Sequence, residues 1–494
     1  MIYLSCRSIM IVQIFLFVFY ISRIIPIIFL SSFFIAAPFL KYFFLTQYSV
    51  DAQRIAQLII MASFLPFVIF KHVNKNTFIA KNLFTPIVAL SVLATISALS
   101  SPHPRSAVLE IGMITSCLLI LSNSAYYFFP LHSRDSLLWI AAIIVISTSI
   151  TIKHSLGAYI NWLAQDYSSK LTPFDLTSGY SNPRFLNSVQ VITLCFFPLI
   201  ISIIRQKLAK NLLTILAGAW LALLLMTHGR GAMISWVLSI FIIHLIYRQK
   251  SIKWVKKSLS ILMLGLVLYV FMGHIIPNIY HHNGINNENF WKIGQKEQRL
   301  DLWNICLTLI RKHPWFGIGP MELSLKKYGI NGHPHNFILQ IATEMGIPAA
   351  ALTIWIIFQA LFTEIKVSRR ESTLPIRHVS TMAAVIASLM YSMLSGAFIY
   401  PMGQTWFFLT LGWAYANNIH LSTSIYHKNT VLVPKVLMII IILTATASVL
   451  QGIWPEAKNI DQKLSAYCVN HRSECDPLRS PRMWSVAEFT IQQS

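Results

Sequence analysis

Long apolar runs recur from one end of the chain to the other, separated by short polar breaks. A helix crossing about 30 Å of hydrocarbon needs roughly 20 mostly apolar residues. Runs of that kind lie near residues 24–45, 54–70, 83–100, 107–129, 137–152, 189–204, 211–228, 232–247, 258–277, 336–363, 378–400, 404–420 and 431–452. They predict about thirteen spans, within a range of about 12–14, and hence an all-α polytopic membrane bundle. The first stretch is open. Residues 9–20 are apolar but short, Arg23 interrupts them and Pro26 follows, so a signal-like segment, an interfacial helix and an extra span all fit. No small-residue cleavage site follows it, so it is expected to stay uncleaved.

Lys and Arg gather in alternating short loops. One set holds Lys71, Lys75 and Lys81; then Arg205, Lys207 and Lys210; then Arg248, Lys250, Lys253, Lys256 and Lys257; then Lys366, Arg369, Arg370 and Arg377. The opposite short loops hold little beyond Arg105 and Arg230, and a turn at Pro401 to Gly403 holds none. The positive-inside rule makes the first set cytoplasmic. The long segments near 153–188 and 278–335, and a tail from 453 to 494, then fall on the outer side. The expected organisation is a bundle over 1–452, with an outer catalytic loop at 278–335 before the tenth span, followed by the tail. Long loops are exempt from the charge rule, so Lys292, Lys296, Arg299, Arg311, Lys312, Lys326 and Lys327 do not contradict the orientation.

Composition agrees and adds one question. Of 494 residues 55% are hydrophobic and 11% charged, where soluble globular proteins carry about 25% charged residues. The 39 basic and 17 acidic residues leave a net charge of +22. Nucleic-acid binding, attraction to an anionic surface and loop bias each produce such an excess. The charge lies in small groups between apolar runs rather than in a basic domain, which favours loop bias and excludes a nucleic-acid-binding module. Cys6, Cys117, Cys195 and Cys306 are scattered singly, whereas Cys468 and Cys475 stand together in the outward tail, where a disulfide is expected. Zinc is disfavoured there, since Cys468, His471 and Cys475 lack a fourth ligand.

Three outer-face segments carry candidate chemistry. Thr227-His228-Gly229-Arg230-Gly231 is a tight turn whose glycines free the backbone around an arginine, and a guanidinium is a planar fork of donors suited to phosphate oxygens. A snorkelling arginine at a span end is the alternative. Gln298-Arg299-Leu300-Asp301-Leu302-Trp303 begins an amphipathic helix running to Lys312, with Leu300, Trp303, Leu307 and Ile310 as its apolar face. Arg299 and Trp303 are one turn apart and share a face; a merely solvated charged face is the alternative. His333-Pro334-His335-Asn336-Phe337 then enters an apolar helix that Asn336 can cap. A histidine there can take a proton from a hydroxyl, or simply sit at the interface with its hydrogen bond satisfied. Gly317-Ile318-Gly319-Pro320 reads as a bend after the amphipathic helix rather than a nucleotide loop. The outward loops contain no Asp-x-Asp, and the one close acidic pair, Glu474 and Asp476, lies far along the tail. Any phosphate bound on this face is therefore expected to be held by arginines, with no metal and no cofactor.

The order of these motifs resembles the O-antigen ligase and polymerase superfamily. The Gly-Arg-Gly turn, Arg-Leu-Asp-Leu-Trp at 299–303, His-Pro-Trp-Phe-Gly-Ile-Gly-Pro at 313–320, His-Pro-His-Asn-Phe-Ile-Leu at 333–339 and Glu-Met-Gly-Ile-Pro at 344–348 carry it. The likeness covers about residues 211–420, with Asn182-Pro183-Arg184-Phe185 upstream. It implies a bacterial inner-membrane glycosyltransferase acting at the periplasmic face, without metal, on a glycan carried by undecaprenyl diphosphate. It also implies an inverting attack by the acceptor hydroxyl. By that likeness Arg230 and Arg299 bind the diphosphate and His335 is the base or positions the acceptor. Arg184 is a third phosphate ligand, and Trp303, His333 and Asn336 line the substrate site. Three acceptors are compatible: lipid A core, as in an O-antigen ligase; protein Ser or Thr, as in an O-oligosaccharyltransferase; and the growing glycan, as in a polymerase. The ligase leads, although an outward tail raises the protein-glycosylating reading. A lipid-linked sugar transporter predicts mid-span ionisable residues and two related halves, neither of which is visible. A membrane scaffold is weaker still.

Overall fold

The computed structural model describes residues 26–44, 49–74, 77–127, 130–165, 171–177, 179–180, 182–280, 296–324, 333–421 and 430–457. The expected bridge between Cys468 and Cys475, the basic residues Lys292, Lys326 and Lys327, and the stretch before Pro26 lie outside them.

The protein is an all-α polytopic membrane bundle. Its main helices are α1 (Pro26–Ile35), α2 (Ser49–Asn74), α3 (Lys81–Leu99), α4 (Pro104–Tyr127), α5 (Arg134–Leu163), α6 (Pro183–Ile203), α7 (Lys207–Met226), α8 (Arg230–Tyr247), α9 (Ile252–Val270, prolonged to Ile279), α10 (Lys296–Lys312), α11 (Phe337–Met345), α12 (Ile347–Arg370), α13 (Ile376–Ser392), α14 (Pro401–Leu421) and α15 (Lys435–Ala457). Among the described residues, eight continuous helical stretches are long and apolar enough to cross a membrane. One of these, Arg230–Ile279, doubles back at Arg248–Ser251 to form α8 and α9. Each place expected to hold a span carries helix.

The boundaries differ in instructive ways. The run expected to cross as one span over 336–363 breaks at Gly346, whose φ of +89° no helix accepts and which is followed by Pro348 in the first turn of α12. α5 continues to Leu163 and α6 starts at Pro183, so the outer segment expected from residue 153 is shorter than its hydropathy suggests. α13 ends at Ser392, and Pro401 begins α14 instead of sitting in a turn, because a fixed φ and missing N–H suit a helix start. Residues 431–433, expected to open the last span, belong to a strand. Thr430–Val433 (β2) pairs antiparallel with Thr77–Ala80 (β1), Thr77 opposite Val433, and Pro434 separates β2 from α15.

α6 is the axis of the bundle. It is apolar nearly all round, as a helix enclosed by other helices must be, and all but three of its 21 residues are buried. α7 and α9 lie beside it in parallel and approach closely at reciprocal glycines. A Cβ on Gly218 would stand 2.8 Å from the Leu264 side chain, and one on Gly265 2.7 Å from that of Leu221, the small-residue contact by which membrane helices gain packing. The two ends of the bundle are chemically distinct. One gathers the basic loops: Lys71 lies over the Tyr127 ring, Lys435 Nζ donates to the Val73 carbonyl, and Lys250 Nζ caps the C-terminus of α12 through Ser368 O at 2.8 Å. Near these, Tyr247, Glu364 and His378 form a buried cluster, with Tyr247 Oη donating to Glu364 at 2.6 Å and His378 Nε2 2.7 Å from the same oxygen. The other end holds the starts of α2, α6, α8, α11 and α14.

α10 packs differently from expectation. The face buried against Ile318, Leu323 and Leu339 is Leu302, Ile305, Cys306 and Leu309, whereas Leu300 and Leu307 are exposed. The helix has two apolar stripes, and the one closest to the scaffold won. Gly317, Gly319 and the chain between them dock on the broken helix. Ile318 N donates to Thr343 O at 3.0 Å, Gly319 N to Glu344 O at 2.9 Å and Ile347 N to Pro314 O at 2.8 Å. The expected bend after α10 is thus also what satisfies the open backbone at the α11–α12 break.

Candidate active site

At the end of the bundle away from the basic loops, three arginines from three separate elements face one cavity of about 460 Å³. Arg184 stands in the first turn of α6, where the Asn182 side chain caps the helix by accepting from Arg184 N at 2.9 Å. Arg230 begins α8 after a turn in which His228 adopts φ +55° and Gly229 N donates to Leu224 O at 2.9 Å. That turn is tight: a Cβ on Gly229 would lie 2.8 Å from Leu224 O. Asn187, one turn along α6 from Arg184, pins it by donating to Thr227 Oγ1 at 3.0 Å. Arg299 comes from α10, with Leu300 and Trp303 beside it on the wall, and Tyr391 near the end of α13, with Leu394 and Ser395 just after it, closes the other side. No Asp or Glu is among the described residues lining this cavity. Burial and the nearby charges of Arg184 and Arg230 lower the Arg299 guanidinium below its ordinary value, so its proton is held less firmly than in water while it remains a cation at neutral pH.

His335 lies against this cluster, buried, with Arg184 Nη1 3.2 Å from its Nε2. A guanidinium only donates, so Nε2 accepts and the proton of the neutral ring sits on Nδ1. Nδ1 has no hydrogen-bond partner among the described residues. Burial, then Arg184, then Arg299 push the His335 imidazolium down to about 3. Its backbone is left-handed at φ +56°, a conformation costly for a residue with a Cβ and maintained by three contacts. His335 N donates to His333 Nδ1 at 3.1 Å, Trp303 Nε1 donates to Pro334 O at 3.0 Å, and Asn336 Oδ1 caps α11 through Leu339 N at 2.9 Å. His333 Nδ1 therefore accepts, which leaves its Nε2–H to donate to Tyr400 Oη at 3.1 Å. The Tyr400 ring rests on Phe185, beside Arg184, with centroids 3.6 Å apart.

His333 and Asn336 line a different cavity of about 360 Å³ with predominantly apolar walls, among them Phe337, Ile341, Phe398 and Phe407. Ser395 lines both cavities. The structure thus gathers Arg184, Arg230, Arg299 and Trp303 on one cavity, places His333 and Asn336 on its neighbour, and sets His335 in contact with Arg184 beside the first. Four participants have no sequence signature: Tyr391, whose hydroxyl donates to Arg184 O at 3.2 Å, Tyr400, Asn187 and Gly396. Of these only Asn187 was within reach, since it follows Arg184 at helical spacing.

A second polar assembly supports the turn between α13 and α14. Arg54 on α2 is fully buried and donates from Nη1 to Gln57 at 2.6 Å and to Gln404 at 2.8 Å, and from Nη2 to Ile399 O at 2.8 Å. An arginine in this position fixes the segment that delivers Gly396 and Tyr400 to His333. Among the described residues no group of three or more His, Cys, Asp and Glu side chains has the arrangement of a metal site.

These features define a multi-pass membrane protein with a cationic, carboxylate-poor cavity at one end of its bundle. Residues 212–354 match the family model described as O-antigen ligase. That stretch, from within α7 to the start of α12, is less than half of the chain; the match is consistent with the O-antigen ligase and polymerase superfamily that the motif order resembles, whose members are glycosyltransferase-like enzymes. Arg230, Arg299, Trp303, His333, His335 and Asn336 fall inside the match; Arg184, Tyr391 and Tyr400 fall outside it. In a comparison with curated proteins nothing matches the chain.

Proposed function

We propose that this protein is a bacterial inner-membrane glycosyltransferase that moves a glycan from undecaprenyl diphosphate to an acceptor hydroxyl at the periplasmic face, in the manner of an O-antigen ligase with lipid A core as acceptor. The observation that carries the reading is the convergence of Arg184, Arg230 and Arg299 on one cavity without a lining carboxylate, with His335 in contact with Arg184. Three converging guanidiniums suit a diphosphate, which offers several oxygens to planar donor forks. The apolar cavity that meets this one at Ser395 suits the lipid portion of a substrate and supports a lipid-borne acceptor.

In the proposed reaction the acceptor oxygen attacks the anomeric carbon, the bond from that carbon to the phosphate oxygen breaks, and undecaprenyl diphosphate leaves with its charge stabilised by the arginines. The hydroxyl proton passes to His335 Nε2. Without donor, that lone pair is engaged by Arg184, and burial together with the charges of Arg184 and Arg299 opposes protonation, so His335 is a poor base. A diphosphate both draws off the Arg184 donors and neutralises the field, and so releases Nε2 and raises its basicity only when donor is bound.

The test has two parts. Arg184→Ala, Arg230→Ala, Arg299→Ala and His335→Ala are each expected to abolish transfer at unchanged protein level in the membrane; full activity in all four removes the site. A deletion strain is then examined for lipopolysaccharide banding and for glycoprotein. Loss of long O-antigen with free core accumulating supports the ligase reading, and loss of protein glycan alone replaces it with the oligosaccharyltransferase.

A further inference from the structure

The basic end of the bundle contains a third cavity, of about 650 Å³, lined by Lys210, Lys250, Lys253, Lys256 and Lys257 together with Ser202, Trp254, Leu374, Ile376 and Val379. We propose that it is a binding site for the phosphate headgroup of an anionic glycerophospholipid. This does not rest on the transfer reading, because it involves the opposite end of the molecule.

Loop bias alone accounts for lysines at this end but not for their convergence. Lys253, Lys256 and Lys257 occupy one face of the first turns of α9, at the i, i+3, i+4 spacing of helical neighbours. Lys210 reaches the same hollow from α7, close enough that its charge bears on Lys257. Like charges at that range repel, and no carboxylate is among the described residues lining the cavity. One lysine is already committed: Lys250 Nζ donates to the carbonyls at the end of α12. The other four form an unneutralised pocket for a phosphate.

Two further observations select a lipid as its source. The floor and rim are apolar, with Trp254 buried and Leu374, Ile376 and Val379 on the α12–α13 side. From the cavity, an exposed apolar stripe also runs along α9 on the side of Lys256, through Leu259, Met263 and Val267 at helical spacing. A headgroup held by the lysines would lay its acyl chains along this stripe, since α9 starts at the level of the headgroup site and continues as an apolar helix. Basic pockets between spanning helices recognise anionic lipids in this way. Because α7 ends at the turn that leads into Arg230 and packs on α9 through Gly218 and Gly265, such a lipid would brace a helix that supports the opposite cavity.

The experiment titrates full-length protein in mild detergent with phosphatidylglycerol and, separately, with phosphatidylcholine of the same acyl chains, and counts adducts by native mass spectrometry. Retention of phosphatidylglycerol at least tenfold stronger is expected. Each lysine near an anionic headgroup is worth roughly a fivefold factor, so Lys253→Gln, Lys256→Gln and Lys257→Gln together predict a loss on the order of 100-fold. Arg205→Gln, Lys207→Gln and Arg369→Gln, which remove the same charge from the same end outside the cavity, predict no comparable loss. Should the first triple variant not be recovered folded, Lys210→Gln with Lys256→Gln predicts about a 25-fold loss. Equal retention of the two lipids, or equal loss in both triple variants, overturns the site. Displacement by millimolar inorganic phosphate would keep the phosphate chemistry and overturn the lipid as its source.

Discussion

Replacing Arg184 by Gln removes the guanidinium that stands 3.2 Å from His335 Nε2 and isolates one cause of that histidine's low basicity. Its imidazolium lies at about 3 against an ordinary 6.5, by burial first, Arg184 second and Arg299 third. Since burial is the largest of three causes, Arg184 accounts for less than half of the depression, so its removal raises His335 by roughly 1 pH unit and by less than about 2. The sign for stability follows. Between pH 6.5 and 3 the unfolded chain binds a proton that folded His335 refuses, so this contribution is complete above 6.5 and is lost on acidification. At pH 5 the loss is about 2 kcal/mol in the wild type, from about 1.4 kcal/mol per pH unit below 6.5. The assay is a pH titration of carbon-labelled histidine by NMR, with His335 assigned by its disappearance in His335→Asn. The account predicts a wild-type midpoint below 4 and a clear upward shift in Arg184→Gln. A wild-type midpoint near 6.5, or no shift in the variant, refutes the electrostatic reasoning.

Other predictions concern single contacts. A Cβ on Gly396 would stand 2.6 Å from the His333 ring, so Gly396→Ala should cost about 1–3 kcal/mol and lower transfer at least tenfold; a thermal-shift measurement and a transfer assay read both, and normal values in both would contradict the packing. Tyr400→Phe deletes the acceptor of His333 Nε2 and is expected to lower stability by about 1 kcal/mol with a measurable fall in kcat. At the basic end, Glu364→Ala removes the oxygen shared by Tyr247 and His378. It is expected to destabilise by about 3 kcal/mol while leaving transfer per folded molecule intact. Gln404→Leu strips one acceptor from buried Arg54 at about 2 kcal/mol, measured by unfolding in denaturant.

Much of the bundle was legible in the chain because membrane spans are written in contiguous apolar runs, and the arginines at the end opposite the basic loops stood out because the short loops there hold few charges. Arg230 and Arg299 were readable from local pattern, and His335 from its Pro-bounded motif. What was not legible depends on tertiary choice. The apolar run over 336–363 hides a break that only the φ of Gly346 and its docking against Trp315 reveal. α10 carries two apolar stripes, and hydropathy cannot rank them without knowing where Ile318 and Leu323 lie. Tyr391, from the last turn of α13, and Gly396 and Tyr400, from the segment between α13 and α14, reach Arg184 and His333 from far along the chain, and nothing near them in sequence marks that role. That His333 and Asn336 line the apolar cavity while His335, in contact with His333, meets Arg184 beside the other is likewise a property of the fold.

The central claim is that the three arginines hold a lipid diphosphate from which a glycan is transferred. Its most direct measurement is the transfer rate of purified protein with a glycan on undecaprenyl diphosphate and rough lipopolysaccharide as acceptor, comparing wild type with Arg299→Ala. The account predicts transfer by the wild type, a loss of at least 100-fold in kcat/KM for the variant, in line with removal of one charge-stabilising donor, and unchanged thermal stability. Equal rates for the two proteins would contradict it.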